Sequence, residues 1–154
     1  MPQPRRTRRR IRDADYARLL SVRTALRNFE HWSAEQAAAH GVTANQHQLL
    51  LAVRGHREPN GPTISQVADY LLIRHHSAVE LADRCERAGL IHRLRDSDDH
   101  RVVRLRLADE GSRILEALAG AHLEELADLT PLFQSLIGTL SGAAASDATS
   151  AQLG

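Results

Sequence analysis

Apolar side chains recur every three or four residues along most of the chain, which is the spacing of helices that bury one face. The spacing predicts a long first helix over residues 16–39 and two further helices, each opened by a capping box. Thr43 with Gln46 forms the first box, and Thr63 with Gln66 forms the second. We expect these two helices to bury faces made of Leu49, Leu50 and Val53, and then of Ile64, Val67, Ala68 and Leu71.

A fourth helix follows the third almost at once. Only residues 72–75 separate the two apolar patterns, a connection of helix-turn-helix length, and Gly89 supplies the left-handed residue that commonly ends a helix. The buried face of the fourth helix is expected to consist of Ala78, Leu81, Ala82 and Cys85. Its opposite side is the one that a recognition helix turns toward base edges, and it carries His76, Ser77, Glu80 and Arg84.

After Gly89 the apolar period shortens to two, which is typical of β-strands. Residues 101–107 predict a half-buried strand with Val103, Leu105 and Leu107 on its core face. Residues 90–95 provide the partner strand, and the polar residues 96–100 provide the turn. Arginines crowd this hairpin and could place guanidinium groups on phosphates or in a narrow minor groove: Arg93, Arg95, Arg101, Arg104 and Arg106.

The two ends of the chain carry more apolar surface than a small winged helix can cover alone. Residues 109–140 again show helical spacing, with Asp109 as the expected cap and a new helix start at Thr130. Pairing of these helices with residues 13–39 between two subunits would bury the excess surface. The sequence therefore predicts a homodimer.

The predicted fold is mainly α (α+β), a winged helix-turn-helix flanked by N- and C-terminal dimerisation helices. Residues 1–12 form a basic arm, residues 13–140 a single domain with its winged helix-turn-helix at 43–107, and residues 141–154 a flexible tail. Helix, helix and arginine-rich hairpin in this order predict sequence-specific binding to double-stranded DNA. The predicted DNA-binding residues are Thr63, Ser65, Arg74, His75, His76, Ser77, Glu80, Arg84, Arg93, Arg95, Asp99 and Arg101.

Residues 13–140 resemble the MarR family of bacterial transcriptional regulators. Residues 99–107, Asp-His-Arg-Val-Val-Arg-Leu-Arg-Leu, are similar to the family's wing signature of Asp-x-Arg followed by Leu-x-Leu, and residues 86–91 also match. The resemblance implies that Arg101 reaches DNA and that Asp99 orients it through a charge-assisted pair. It also implies a homodimer on a pseudo-palindromic operator, with recognition helices about 34–36 Å apart, that represses transcription by occluding a promoter.

The resemblance further implies a small-molecule effector bound between the dimer helices and the winged unit. Phe29, His31 and Trp32 are near enough in sequence to line such a crevice, although Phe29 and Trp32 could equally belong to the dimer core. Two other sensors are disfavoured. A lone buried cysteine such as Cys85 is usually inert, and no cysteine or carboxylate joins the chain's clustered histidines at a ligand spacing: His75, His76, His92 and His100.

Composition bounds the other expectations. Six arginines lie in the first twelve residues, so the remaining chain is about five units negative although the formal charge is +1. The arm could follow phosphates or remain a solvated terminus. All 20 basic residues are arginine and none is lysine. Codon bias and selection for bidentate phosphate contacts are the two alternative explanations. One cysteine excludes an internal disulfide, and no apolar run approaches the roughly 20 residues of a membrane span, so we expect a cytoplasmic protein without membrane contact.

Two other classes of function are alternatives to DNA binding. An enzyme is not expected, because G-x-S-x-G, G-x-x-x-x-G-K and H-E-x-x-H are all missing from the sequence, and no cofactor or metal is expected either. A winged helix that binds another protein without specific DNA binding is the alternative. The arginine-rich hairpin argues against it, because the core of a protein interface is usually depleted in charge.

Overall fold

The computed structural model describes residues 11–138, so most of the predicted basic arm and the whole predicted tail lie outside the described residues. The elements in chain order are α1 (Asp13–Ala39), α2 (Ala44–Gly55), α3 (Ile64–Leu71), α4 (His75–Arg87), β1 (Ile91–Arg95), β2 (Val103–Leu107) and α5 (Asp109–Asp128), followed by a helical segment over residues 130–138. The mainly helical fold with one two-stranded sheet confirms the predicted class. Two compact units can be distinguished, His31–Glu124 and a second unit made of the segments on either side of it.

Both predicted capping boxes are present and open α2 and α3. The Thr43 hydroxyl accepts a hydrogen bond from the Gln46 amide at 3.2 Å, and the Gln46 side chain accepts one from the Thr43 amide at 2.9 Å. Thr63 and Gln66 repeat the arrangement at 3.2 and 2.8 Å. Each box satisfies two backbone donors that a helix start leaves free, which explains why both helices begin where the sequence predicted.

The turn between α3 and α4 is one residue shorter than expected, because His75 already belongs to α4. Leu72 makes the turn with a left-handed backbone, φ 54°, and its side chain is 92% exposed. Its amide donates back to the end of α3, at 3.3 Å to the Asp69 carbonyl. A short turn of this kind brings α4 back across α3, so that both helices share one core.

The hairpin pairs antiparallel, with Ile91 opposite Leu107 and Arg93 opposite Leu105. β2 begins at Val103 rather than at residue 101. Val103 shares the strand face of Leu105 but is 36% exposed, so its expected burial in the core was wrong. Val103 pairs with Arg95 at the tip end of the hairpin and lies outside the core cluster. Leu105 is fully buried in the core, and Leu107 packs against it.

The free edge of β2 is covered by the segment that precedes α3. The Leu105 amide donates to the Pro62 carbonyl at 2.9 Å, and Thr63 forms an isolated bridge with Arg104. Gly61 lies so close to the Leu105 carbonyl that no side chain would fit there, and its φ of 77° also favours glycine. The hairpin is therefore joined directly to the helix-turn-helix.

The core of the His31–Glu124 unit is apolar and continuous from α1 to α5. Its fully buried side chains include Leu49, Leu50, Val67, Leu81, Cys85, Ile91, Leu105 and Leu118. α5 begins at Asp109, so the expectation that Asp109 caps this helix was wrong. Ala108 takes the cap position, where its carbonyl accepts from the Ser112 amide at 2.9 Å, and Asp109 instead supplies negative charge in the first turn.

Candidate nucleic-acid interface

α4 turns its polar side to solvent, because Ala78, Leu81, Ala82 and Cys85 hold its other side in the core. The predicted groove-facing residues lie on the solvent side. Ser77 is half-buried near the start of the helix, and the exposed members are His75, His76, Glu80 and Arg84. The helix thus presents exposed polar side chains along about three turns.

Three further predicted residues lie where α3 meets α4. The Ser65 hydroxyl is 3.3 Å from Nδ1 of His75, so the structure brings these two side chains together. Arg74 precedes α4 with an extended backbone, and its side chain is exposed and makes no capping hydrogen bond. Thr63 is half-buried and its hydroxyl accepts a hydrogen bond in capping α3, so in a contact with DNA this hydroxyl would act as a donor.

The wing tip presents an arginine held by a neighbouring carboxylate. Nε and Nη2 of Arg101 each donate to Asp99 at 3.1 Å, and the Arg101 amide donates to the same carboxylate at 3.0 Å. Hydrogen bonds from Arg101 hold the pKa of Asp99 below its usual value. The Arg101 side chain remains 91% exposed, so it is oriented and yet free to meet a ligand. Arg95 is exposed nearby and donates to the His100 carbonyl at 3.2 Å.

Arg93 is engaged differently from the sequence-based expectation. Its guanidinium is 2.6 Å from Asp83 and 2.8 Å from Glu86, two carboxylates on consecutive turns of α4, and the side chain is only 24% exposed. Its backbone amide also donates to Glu86, at 3.3 Å. Arg93 therefore ties β1 to α4, and a DNA contact from this residue would compete with both carboxylates.

Sequence reasoning missed a second held arginine. Arg104 lies on the outer face of the hairpin and is 19% exposed, because its guanidinium binds Asp96 and Glu58. Asp96 is itself buried, and the Asp98 amide, the Arg104 guanidinium and the Asp99 amide together hold its pKa below the usual value. The only sequence signal was an aspartate at the start of a polar turn, which does not reveal its long-range partner.

The three predicted ligand-binding residues all lie on α1. Phe29 belongs to the second compact unit, and His31 is exposed and 3.6 Å from Glu35. The Trp32 ring packs against His122 with 4.8 Å between centroids. Two surface cavities of about 270 and 550 Å³ lie against α2, and none of these three residues lines either one.

The contacts of Trp32 lead to a histidine pair that the sequence did not reveal. Nδ1 of His122 donates to the Leu118 carbonyl at 2.8 Å, and its Nε2 lies at hydrogen-bond distance, 2.7 Å, from the Ser33 hydroxyl. The centroid of its ring lies 4.7 Å from that of His47. His47 is 3% exposed, and among the described residues its Nδ1 has no hydrogen-bond partner. Burial, and then the neighbouring His122, lower the pKa of His47 from 6.5.

This pair predicts acid-sensitive stability. The unfolded chain protonates His47 at a higher pH than the folded protein does, so this contribution to stability is complete above pH 6.5 and is lost as the pH falls below it. We expect His47→Leu to flatten the dependence of the unfolding free energy on pH, by at most about 1.4 kcal/mol per pH unit. Urea unfolding between pH 5 and 8 measures this, with the exposed His31→Leu as control. Equal pH slopes in the wild type and His47→Leu would contradict the assignment.

Other chemistries find little support in the described residues. Within residues 11–138 no group of three or more His, Cys, Asp or Glu side chains could hold a metal ion. Cys85 is fully buried, and burial raises the pKa of its thiol to about 11. No helix in the same range is long and apolar enough to cross a membrane.

Comparison with known proteins identifies similar chains. Residues 40–102 match the model of the MarR family. The chain is 27% identical over 92 residues to the HTH-type transcriptional regulator PecS of Dickeya dadantii. This match covers 60% of this chain and 55% of PecS. The chain is 29% identical over 102 residues to the HTH-type transcriptional repressor MdtR of Bacillus subtilis, covering 66% of this chain and 64% of MdtR. The matches thus span between about half and two thirds of these curated relatives.

The fold comparison agrees with the sequence comparison. A solved structure of a mutant of S. aureus MepR, bound to an oligodeoxyribonucleotide, superposes with a TM-score of 0.59 at 20% identity. The superposition covers 85% of this chain and 96% of that one. The described architecture therefore recurs in a protein whose sequence is largely different.

Proposed function

We propose that this chain is a member of the MarR family and a homodimeric, sequence-specific regulator of transcription that binds double-stranded DNA. Repression by occupation of a promoter is the output we favour, and the relative MdtR is itself named a repressor. The relatives are named as regulators rather than enzymes, which agrees with a binding function.

The observation that carries the proposal is the state of Arg101. A guanidinium that is held by Asp99 on one side and 91% exposed on the other has little to contribute to folding, since exposed ion pairs stabilise a protein weakly. The same geometry suits phosphate or a minor groove, because the arginine pays little entropy to reach the bound conformation. The exposed polar side of α4 lies in the same compact unit as this arginine.

The proposed interface consists of α4 and the wing tip. His75, His76, Ser77, Glu80 and Arg84 would enter the major groove, and Ser65 and Arg74 would contact the backbone beside it. Arg95 and Arg101 would meet phosphates or the minor groove. Arg93 would act chiefly by shaping this surface, since its guanidinium is already bound to two carboxylates. Thr63 would cap α3 and donate its hydroxyl to the DNA backbone.

Dimerisation is supported by the apolar surface of the second compact unit. Exposed side chains on α1 and in the helical region after residue 124 include Tyr16, Leu19, Leu20, Leu26, Leu126 and Ile137. Exposed apolar patches of this kind mark interaction surfaces. Two copies related by a two-fold axis would place two α4 helices on successive turns of one duplex, and a small effector would act by favouring one spacing over another.

Replacement of Arg101 tests the proposal. We expect Arg101→Ala to weaken binding to selected genomic fragments about tenfold, and to lower the slope of log affinity against log salt by about one. Mobility-shift titrations at two salt concentrations measure both quantities. Arg113→Ala is the matched control, because Arg113 also binds a carboxylate, that of Glu110 at 2.8 Å through Nε, but lies on α5 away from the proposed surface. Equal losses of DNA affinity in the two variants would show that the wing tip is not part of the interface.

A further inference from the structure

We propose that five side chains fix the tilt of the β1–β2 hairpin on the helix-turn-helix and so position Arg101 for DNA. We call them the wing brace: Tyr70, His56, Glu58, Arg104 and Asp96. They are positioning residues, since they act through Arg101 rather than by touching DNA. The inference rests on the proposed function, because it gives the brace a part in contact between the wing and DNA.

Arg104 is the centre of the wing brace. Its Nη1 donates to Glu58 at 2.9 Å and to the Gly61 carbonyl at 3.1 Å, and its Nε donates to Asp96 at 2.5 Å. These acceptors belong to the α2–α3 loop and to the hairpin turn, which are far apart in sequence. A planar guanidinium with donors in fixed directions can hold both at once, whereas the single ammonium of lysine cannot reproduce this fork.

The wing brace continues from Arg104 to the tip. Oδ1 of Asp96 accepts hydrogen bonds from the amides of Asp98 at 2.9 Å and Asp99 at 3.3 Å. These bonds fix the backbone of the turn that carries the Asp99 carboxylate, which in turn holds Arg101. A series of charge-assisted hydrogen bonds, joined through the backbone of Asp99, therefore runs from the α2–α3 loop to the exposed arginine.

In the other direction the wing brace reaches α3. Nε2 of His56 lies 3.8 Å from Oε2 of Glu58, which is too long for a hydrogen bond and is an ion pair only when the imidazole is protonated. Nδ1 of the same ring is 2.8 Å from the Tyr70 hydroxyl, and the two rings meet nearly edge to face with 5.9 Å between centroids. Because Tyr70 lies on α3 and the His56 side chain is 5% exposed, the brace is anchored in the helix-turn-helix.

The burial of Arg104 separates this role from direct DNA contact. Its side chain is 19% exposed against 91% for Arg101, and two of its nitrogens already donate to protein acceptors. DNA would have to displace these acceptors to recruit Arg104. The wing brace is therefore expected to affect DNA affinity through geometry, which makes its effect separable from a loss of charge.

Replacement of Arg104 by lysine separates geometry from charge, since Arg104→Lys keeps the positive charge. We expect about tenfold weaker binding to a selected fragment at fixed salt, and an unchanged salt slope. In the Arg101→Ala background the same substitution should cost less than about twofold, since a brace that acts through Arg101 has nothing left to position. Arg113→Lys is the control, because it changes another carboxylate-bound arginine outside the proposed interface.

Amide hydrogen exchange in free protein tests the wing brace without DNA. The amides of Asp98 and Asp99 donate hydrogen bonds to the Asp96 carboxylate. We expect these two amides to exchange about tenfold faster in Arg104→Lys than in the wild type and in Arg113→Lys. Glu58→Gln, a change at a 56% exposed side chain, is a milder second variant for the case that Arg104→Lys does not fold. It should accelerate the same amides about threefold, and the exposed Glu116→Gln should not.

The two measurements have distinct outcomes. A wild type that binds no DNA fragment would overturn the proposed function, and exchange alone would then decide whether the hairpin is braced. Unaltered exchange in both Arg104→Lys and Glu58→Gln would overturn the wing brace whatever the DNA result. Additive losses of Arg104→Lys and Arg101→Ala would also overturn it, because Arg104 would then act independently of the wing tip.

Discussion

Alanine in place of Gly111 is expected to destabilise the protein by about 3 kcal/mol, which lowers the folding equilibrium constant by more than about 100-fold. Gly111 lies in the first turn of α5, where a Cβ would collide with the Leu90 carbonyl and come within 3.2 Å of Cδ2 of Leu50. The same carbonyl accepts a hydrogen bond from Ala108 at 3.0 Å, so it is held in place. Backbone at such a position gives way far less readily than the end of a flexible side chain.

The matched control is the same substitution in the same helix. Gly120 also lies in α5, but a Cβ there would meet nothing within 4 Å. Gly120→Ala should therefore stabilise the protein by up to about 1 kcal/mol through helix propensity alone. Urea unfolding followed by circular dichroism, at one fixed protein concentration, gives both values. If both substitutions changed stability in the same direction, the close approach of the Leu90 carbonyl would not be the reason that position 111 requires glycine.

The contrast between these glycines shows what the sequence could not predict. Capping boxes and apolar periods are local, so Thr43, Thr63 and the alternation in β2 located most elements correctly. Gly111 is required because the Leu90 carbonyl, in another segment of the chain, approaches it closely. A glycine within a helical pattern does not reveal that partner in the sequence. Val103 was misplaced for a related reason, because alternation gives the face of a strand but not how far the core extends along it.

The same distinction explains which arginines were interpreted correctly. Asp99 and Arg101 are two residues apart, so their pairing was accessible from sequence through the family resemblance, and the structure has it at 3.1 Å. Arg104 and Glu58 are 46 residues apart, and nothing in their spacing predicts that they meet. A sequence rich in arginine reveals an abundance of positive charge, but it does not reveal which guanidinium groups are free.

The held arginines give the hairpin two opposite attachments. Arg93 fastens β1 to α4 through Asp83 and Glu86, and Arg104 fastens β2 to the α2–α3 loop through Glu58. Loosening one attachment leaves the other in place, together with the Leu105–Pro62 backbone hydrogen bond, so the hairpin stays joined to the helices.

Cys85 is expected to be almost unreactive in the folded protein. The thiolate is the nucleophile, and a pKa raised by burial from 9.0 to about 11 lowers the thiolate fraction at neutral pH about 100-fold. Full burial in α4 excludes the reagent as well. We therefore expect alkylation by iodoacetamide at pH 8 to be at least about 100-fold slower in the native protein than in urea.

An exposed reporter cysteine makes this result interpretable. In a Cys85→Ser background, Ala119→Cys places a thiol on the exposed side of α5, where it should react at the rate of a free thiol. Mild peroxide should leave the DNA affinity of the wild type unchanged, because oxidation also begins at the thiolate. If peroxide instead altered affinity in the wild type but not in Cys85→Ser, α4 would have to open often enough to expose its core. Redox sensing through the recognition helix would then replace the inert role that burial assigns to this cysteine.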